Sequence, residues 1–401
     1  EIDTLYRVSN IQHIYTFEAW INMGTILKNQ LARCAIVTLT LLFWGSWVTL
    51  MSSSLRPLFL TSPDPGFLQS CNTTKSQLLK EDQLSTFRSQ FTNVVEKEVQ
   101  FNNWNMGCLD LQFLVPYFRS ILYRQAWDNG RGRQVIFDVG ANNGDDAETS
   151  LKMFDGIAGM CKSFGSPIKL ISIEPSPTVF CEFKNVVPEN KRLLALNIAL
   201  SDATGYLEFR DPGNEGGHLV GGNFHDLERM NSTEIQRLSQ CQVSNSTVKA
   251  EKRVSIVPTY TMDLLWDSLL SLGQVGIGDG IFVLKIDTEG HDKNVIFGSK
   301  NLLLEKRISF IIFETMKNAF VKSIAEFVDP LGYLCFLITR KQLIPVDAKT
   351  WWYSHMDNFT SSWWGNGVCG IRDSESMKML WRMYHSDDPV LMSSYEMIFL
   401  E

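Results

Sequence analysis

The chain has 401 residues, 44% of them hydrophobic and 20% charged, with a formal net charge of −7. That is the composition of a globular protein with room for one large domain or two modest ones, not of a disordered chain. The acidic balance and the lack of clustered Lys and Arg exclude a broad nucleic-acid surface, because phosphates need basic partners.

Taken in chain order, residues 1–33 precede an uncharged run at 34–51. Its length reaches the ~17–20 residues that a helix needs to cross a bilayer. Trp44 and Trp47 suit a membrane interface. Lys28 and Arg33 before the run, against Arg56 after it, put 1–33 on the cytosolic side. A buried core helix is the competing reading, but the run lacks the polar face of a helix on a globular surface. A cleaved signal peptide fits poorly with so long a segment ahead of the run. Seven of the eight Cys follow it, as do the glycosylation sequons at Asn72, Asn231, Asn245 and Asn358. The thiols allow up to three disulfides, or are simply buried. Both features agree with a lumenal domain on a single-pass membrane protein.

Residues 52–129 read as a stem and helical lead-in. The stretch 52–75 is rich in Ser, Pro and Thr. Phe87, Phe91, Val94, Val95 and Val99 then recur at helical spacing, as do Leu111, Leu114, Val115 and Phe118. Beyond the break at Asn129-Gly-Arg-Gly-Arg133 the texture changes. Short β-rich runs at 134–139, 169–174, 193–200, 281–287 and 309–314 alternate with helical stretches at 146–154, 178–186 and 293–304. This predicts an α/β domain over 130–345, with a parallel sheet covered by helices on both faces. Residues 211–251 interrupt the pattern as an insertion between edge strands. Residues 346–401 form a Trp-rich C-terminal extension. Its Trp351-Trp-Tyr353 and Trp363-Trp364 clusters either pack a lobe onto the sheet or stack on sugar faces.

The strongest local signal is Val135-Ile-Phe-Asp-Val-Gly-Ala-Asn-Asn-Gly-Asp145. A buried strand ends in a glycine turn, and Asp145 or Asp146 can cap the next helix. Gly140 and Gly144 let the backbone approach a ligand closely, at the strand ends where open α/β sheets bind ligands. A dinucleotide fingerprint would place Gly at Asn142 and Asp145, and an Asp beside the turn would repel a pyrophosphate. Asp138 suits a ligand carrying a sulfonium and an ammonium. Glu174, ending the next strand, can accept both ribose hydroxyls. Asp202 falls where an adenine amino group could be met. In Leu284-Lys-Ile-Asp-Thr-Glu-Gly-His-Asp292, Lys285, Asp287 and Glu289 share one side if the strand stays extended. Such a group can act as general base or hold a divalent ion through oxygen ligands. It can equally be an ion pair that only orders the strand.

These strings, with Ala199-Leu-Ser-Asp202, Thr261-Met-Asp263 and Ile311-Ile-Phe-Glu314 in the same order, resemble the FkbM family of methyltransferases over roughly 130–345. The resemblance implies a Rossmann-like class I methyltransferase sheet, S-adenosylmethionine as donor, and O-methylation of a hydroxyl, often on a sugar or polyketide. Asp138, Gly140, Gly144 and Glu174 match its cofactor motifs, and Asp287, Glu289 and Gly290 its D-x-E-G motif. With Asn142 and Asp202 added from the reading of the residues, these are the expected cofactor-binding positions; Asp287 with Glu289, His291 and Lys285 are the expected catalytic ones. A divalent metal is an open addition. Asp292 departs from the Glu that usually follows the D-x-E-G motif. The expected protein is therefore a membrane-tethered enzyme of the Golgi or another secretory membrane, acting on a carbohydrate hydroxyl. The alternative is an inactive methyltransferase fold serving as a structural subunit of a membrane complex in a mitochondrion or plastid. A nicotinamide-dependent oxidoreductase is disfavoured by the glycine spacing. The lumenal reading predicts that a glycosidase specific for N-linked chains lowers the mass of the native protein; an unchanged mass contradicts it.

Overall fold

The structure, a computed structural model, describes residues 85–87, 89–90, 93, 111–129, 134–144, 147, 150–151, 168–211, 217–224, 227–241, 253–315, 318–339, 342–346 and 365–395. The apolar run at 34–51, the stretch 52–75, the Trp clusters at 351–364 and the sequons at Asn72, Asn245 and Asn358 lie outside the described residues. No helix among the described residues is long and apolar enough to cross a membrane.

Helix α1 (Leu111–Asn129) leads into β1 (Gln134–Val139), β2 (Ile168–Ile173), α2 (Pro177–Val186), β3 (Leu193–Leu196), β4 (Ala199–Leu200), β5 (Gly205–Asp211) and β6 (His218–Phe224). Then follow α3 (Ser232–Leu238), β7 (Arg253–Tyr260), α4 (Met262–Ser271), β8 (Gly280–Ile286), α5 (Asp292–Phe297), α6 (Lys300–Leu304) and β9 (Ile308–Thr315). The chain closes with α7 (Asn318–Val328), β10 (Tyr333–Ile338), β11 (Leu343–Val346), β12 (Gly365–Ile371), α8 (Glu375–Tyr384) and α9 (Pro389–Ser393).

Eight strands form one sheet in the order β11-β10-β12-β9-β8-β1-β2-β3. The five from β9 to β3 run parallel, whereas β12 is antiparallel to β9 and β10, and β11 to β10. The chain steps outward from β1 through β2 to β3, then resumes on the other side of β1 with β8 and β9. The order therefore reverses between β1 and β8, and such a reversal opens a crevice at the carboxyl ends of the strands.

Both faces of the sheet are buried, which is why its strands read as nearly continuous apolar runs. Ile136, Leu170, Phe282 and Phe310 point to one face, where Phe118 of α1 and Trp381 of α8 meet them. The Phe118 ring lies 4.9 Å from that of Phe310 and 5.4 Å from that of Phe282. Val135, Phe137, Ile171, Leu284 and Ile311 point to the other face, against Leu265 of α4, Val295 of α5 and Ile324 of α7. The mixed α/β fold with a large central sheet is thus as expected.

Some boundaries differ, each for a local reason. The single helix expected at 293–304 is two, α5 and α6, because the chain at Gly298 passes against Ser201. A Cβ there would lie 2.0 Å from the Ser201 carbonyl oxygen. The strand expected at 193–200 breaks at Asn197, whose side-chain amide donates to the carbonyls of Glu174 (2.8 Å) and Pro175 (3.0 Å). Beyond that break β4 joins a second sheet, ordered β4-β7-β5-β6. Part of the expected insertion is the second strand of its β5–β6 hairpin. The C-terminal segment, expected as an extension, supplies β12 to the middle of the main sheet. Cys369 of β12 stands directly opposite Cys335 of β10, and the two form a disulfide.

The C-terminal helices are held to the sheet by a buried histidine. His385 is 2% exposed; one ring nitrogen lies 3.0 Å from the Trp381 carbonyl and the other accepts from the Leu343 N–H at 3.3 Å. Accepting that N–H requires a neutral ring, and burial, more than the opposing Trp381 carbonyl and Asp388, pushes its pKa down to about 4. A depressed histidine pKa stabilises the fold fully above the unfolded value of 6.5, and the contribution is lost as pH falls through about 4. Between pH 7 and pH 4.5 the native chain should therefore lose about 2–3 kcal/mol through this group. His385→Gln should be destabilised at pH 7, with its deficit shrinking at pH 4.5 in thermal melts; a deficit that stays constant with pH contradicts this.

Candidate active site

The crevice between β1 and β8 opens into a cleft, the usual place for a ligand in an open α/β sheet. Its floor is the end of β1 (Val139, Gly140) with Asn142, and the end of β2 (Ile173, Glu174). One wall is Ser176 and Val179 at the start of α2. The other is the β8–α5 loop, with Asp287, Thr288, Glu289 and His291. Ala199, Leu200 and the β5–β6 residues Phe209, Gly217 and Leu219 close the apolar end.

Glu174 organises the floor. It is 6% exposed; one carboxylate oxygen accepts the Asn142 N–H at 2.9 Å and the other the Ser176 N–H at 2.8 Å. Asn142 can point its N–H this way because its backbone is left-handed, with φ 46°, a conformation Asn tolerates better than most residues. Ser176 then caps α2 by accepting from Val179, with Pro177 favoured at the first helical position. Sequence reasoning missed Ser176 and Asn197, although Ser-Pro ahead of an apolar run is a helix-start signal.

Gly140 and Gly144 are each required by the protein's own packing. Gly140 has φ 79° and passes so close to the end of β8 that a Cβ would lie 1.7 Å from the Asp287 carbonyl oxygen. Gly144 has φ 96°, and its Cβ would lie 2.3 Å from Val187. Gly140 also lines the cleft; Gly144 does not.

Asp138 lies beneath the turn, fully buried, and does not line the cleft. Its Oδ1 is 3.2 Å from Lys285 Nζ. The ammonium also lies 3.7 Å from Asp287 and donates to the Gly140 carbonyl at 3.4 Å. The ion pair between Asp138 and Lys285 holds β1 against β8. Lys285 serves that pair, at 4% exposure, and not the open cleft.

The alternation expected for Lys285, Asp287 and Glu289 ends with the strand at Ile286. Glu289 (φ 53°) and Gly290 (φ 92°) turn the chain instead. A left-handed non-glycine residue is strained, and such strain concentrates at functional sites. Asn142 and Glu289 are two of the three such residues described, and both line the cleft. The turn is clamped by Asp292, fully buried, which accepts from the Thr288 N–H (3.1 Å), the Thr288 hydroxyl (2.6 Å) and the Glu314 N–H (2.9 Å). Burial, more than its neighbours, raises the Asp292 pKa to about 6. The residue that departs from the family pattern is therefore the anchor of the loop.

His291 lines the cleft, and its Nε2 lies 2.9 Å from the Ser201 hydroxyl. That hydroxyl donates to Asp202 at 2.9 Å, so the histidine is the donor of the pair. Burial pulls the His291 pKa down, against the opposing charge of Asp202. Partial burial works the other way on Asp202, but hydrogen bonds from Asn294 and Ser201 hold its carboxyl below its ordinary value. Asp202 does not line the cleft; its carboxylate ties the β4 end to α5 by accepting from Asn294 at 3.0 Å. Thr261 caps α4 and Asp263 accepts two N–H groups at the start of α6, so that motif is structural.

Glu314, at the end of β9, was recognised only as part of a motif. It is 6% exposed. Burial first, then the charges of Asp287, Asp292 and Glu289, push its pKa up to about 8 against the pull of Lys285. Among the described residues no three His, Cys, Asp or Glu side chains are grouped to hold a metal ion.

A reversed α/β sheet with an acid at the end of its second strand is an arrangement that binds nucleotide-containing ligands in many proteins. Residues 138–335 match the family model described as Methyltransferase FkbM domain, and that stretch is an FkbM methyltransferase domain. A search of the curated proteins gives no match. Among solved structures, the chain is similar to the plantazolicin methyltransferase BpumL in complex with SAH, at 9% identity over 73% of this chain and 99% of that one, with a TM-score of 0.26. A second BpumL complex, with a monoazolic desmethylPZN analog and SAH, gives 8% identity, the same coverage and a TM-score of 0.24. An uncharacterized protein from Burkholderia thailandensis gives 9% identity over 82% of this chain and 79% of that one, with a TM-score of 0.21.

The buried ion pair makes a sharp prediction. Lys285→Met leaves Asp138 buried without its countercharge and should destabilise the domain by about 3–5 kcal/mol. Adding Asp138→Asn should recover a large part of that loss in chemical denaturation. Additive losses in the double variant contradict the pairing.

Proposed function

We propose that the domain transfers a methyl group from S-adenosylmethionine to a hydroxyl of a glycan or glycoconjugate. The observation that carries the cofactor half is Glu174, held by the Asn142 and Ser176 N–H groups on the floor of the cleft. Each carboxylate oxygen can accept more than one hydrogen bond, so Glu174 is suited to ribose hydroxyls. Ile173, Pro175, Val179 and Leu200 offer an apolar slot for the base beside it. The acidic side of the cleft, with Asp287 and Glu289 facing it, suits a cationic sulfonium.

S-adenosylmethionine supplies an electrophilic methyl group when bound. The chain aligns the acceptor with it, and alignment provides much of the rate. An alcohol is a weak nucleophile until its proton leaves. Asp287, about half exposed and 3.7 Å from Lys285, is the carboxylate placed to take that proton. Glu289 bounds the acceptor side, and His291 positions the loop through Ser201.

The hydroxyl and glycan assignments rest on the family resemblance and the sequons. Asn231 is exposed, at the start of α3. The disulfides Cys181–Cys241 and Cys335–Cys369 support an oxidising compartment. With the apolar run at 34–51 this favours a lumenal enzyme of a secretory membrane over an organellar subunit.

Calorimetric titration with S-adenosylmethionine tests the cofactor half. Glu174→Gln should weaken binding about ten- to a hundredfold, roughly 1.4–2.7 kcal/mol. Asp287→Asn should leave binding within a few-fold while lowering kcat about 10²–10⁴-fold. No binding by the native chain, or full activity in Asp287→Asn, contradicts the proposal.

A further inference from the structure

Around the β8–β9 strand ends the carboxyl groups outnumber the cations. Lys285 comes from β8, Asp287 and Glu289 from the following loop, Asp292 from α5 and Glu314 from β9. On the far side, β12 places the neutral Asn366 opposite Glu314. Lys285 is already paired with Asp138 and Asp287. Glu314 sits one position beyond the Ile286–Phe313 register pair, beside Asp287. Its Oε2 is buried, with no hydrogen-bond partner among the described residues. A carboxylate oxygen in that position is poorly stabilised as an anion.

We propose that Glu314 balances the charge of the cofactor, releasing a proton when the cationic sulfonium enters the cleft and taking one back when methyl transfer discharges it. The inference rests on the reading of the cleft as an S-adenosylmethionine site.

The balance closes over one turnover. Before binding, the cluster keeps a proton on Glu314, which burial and the neighbouring acids favour. An arriving positive charge favours the ionised carboxylates, so a proton leaves to solvent. In the transfer itself, the bond from methyl carbon to sulfur breaks and the bond from methyl carbon to acceptor oxygen forms. The sulfonium becomes a neutral thioether, and the acceptor O–H loses its proton to Asp287. With the cation gone, the acidic cluster again favours one protonated carboxyl, and the proton passes to Glu314. Alcohol, sulfonium and carboxylate thus become ether, thioether and carboxylic acid. Glu314 acts through Asp287, taking up the proton that Asp287 receives, so it is a positioning residue.

The test is calorimetric titration of the full chain with S-adenosylmethionine at pH 7.5, in phosphate and in Tris. The difference in heat between these buffers counts the protons exchanged. The expected result is release of about half a proton or more per cofactor bound, little release with S-adenosylhomocysteine, and none in Glu314→Gln. An infrared difference spectrum of the native chain, which needs no variant, should show loss of a protonated-carboxyl band when S-adenosylmethionine is added. Binding without proton release, equal release with the neutral thioether, or an unchanged carboxyl band overturns the proposal while leaving the cofactor site intact. No binding heat and no spectral change at all would instead remove the cofactor reading, and the proposal with it.

Discussion

The arrangement depends on one buried ammonium. Lys285 reaches from β8 to the Asp138 carboxylate on β1, the Asp287 carboxylate at its own strand end, and the Gly140 carbonyl in the turn between. Two central strands thereby end together, at the position where the strand order reverses. An isolated charge in that interior would be costly; the pairing makes it a constraint on geometry. It explains why Gly140 can carry no side chain, since the Asp287 backbone occupies the space. It also explains why Asp287 faces the cleft while Asp138 lies beneath it.

The parallel half of the sheet was legible in the sequence because its strands are buried on both faces and read as continuous apolar runs between helical stretches. The place of Glu174 and Asp287 beside the crevice was legible too, since each follows directly from a strand end. What could not be read was direction. Asp138, Gly144, Lys285 and Asp202 lie near the crevice without lining it, and spacing along a chain does not tell a carboxylate over a cleft from one below it. The alternation drawn through Lys285, Asp287 and Glu289 failed for a related reason: the left-handed backbone at Glu289 ends the period of two. Contacts between distant segments, such as Asn197 with Glu174 or Asp292 with Glu314, have no local signature. Neither does β12, which crosses the chain to enter between β9 and β10.

The second sheet gives the domain its particular cleft. Its β5–β6 hairpin brings Phe209, Gly217 and Leu219 to the apolar end, and a Cβ on Gly217 would lie 2.5 Å from the Phe209 ring. The Cys181–Cys241 disulfide ties α2, whose first turn forms a wall of the cleft, to the segment after α3. Phe209, Gly217 and Leu219 thus bound the cleft, and the segment after α3 is joined covalently to α2.

A structure of the full chain soaked with S-adenosylhomocysteine tests the central claim most directly. The account predicts the ribose hydroxyls within hydrogen-bond distance of the Glu174 carboxylate, with the sulfur turned toward Asp287. A ligand bound elsewhere, or a ribose that leaves Glu174 untouched, would contradict it.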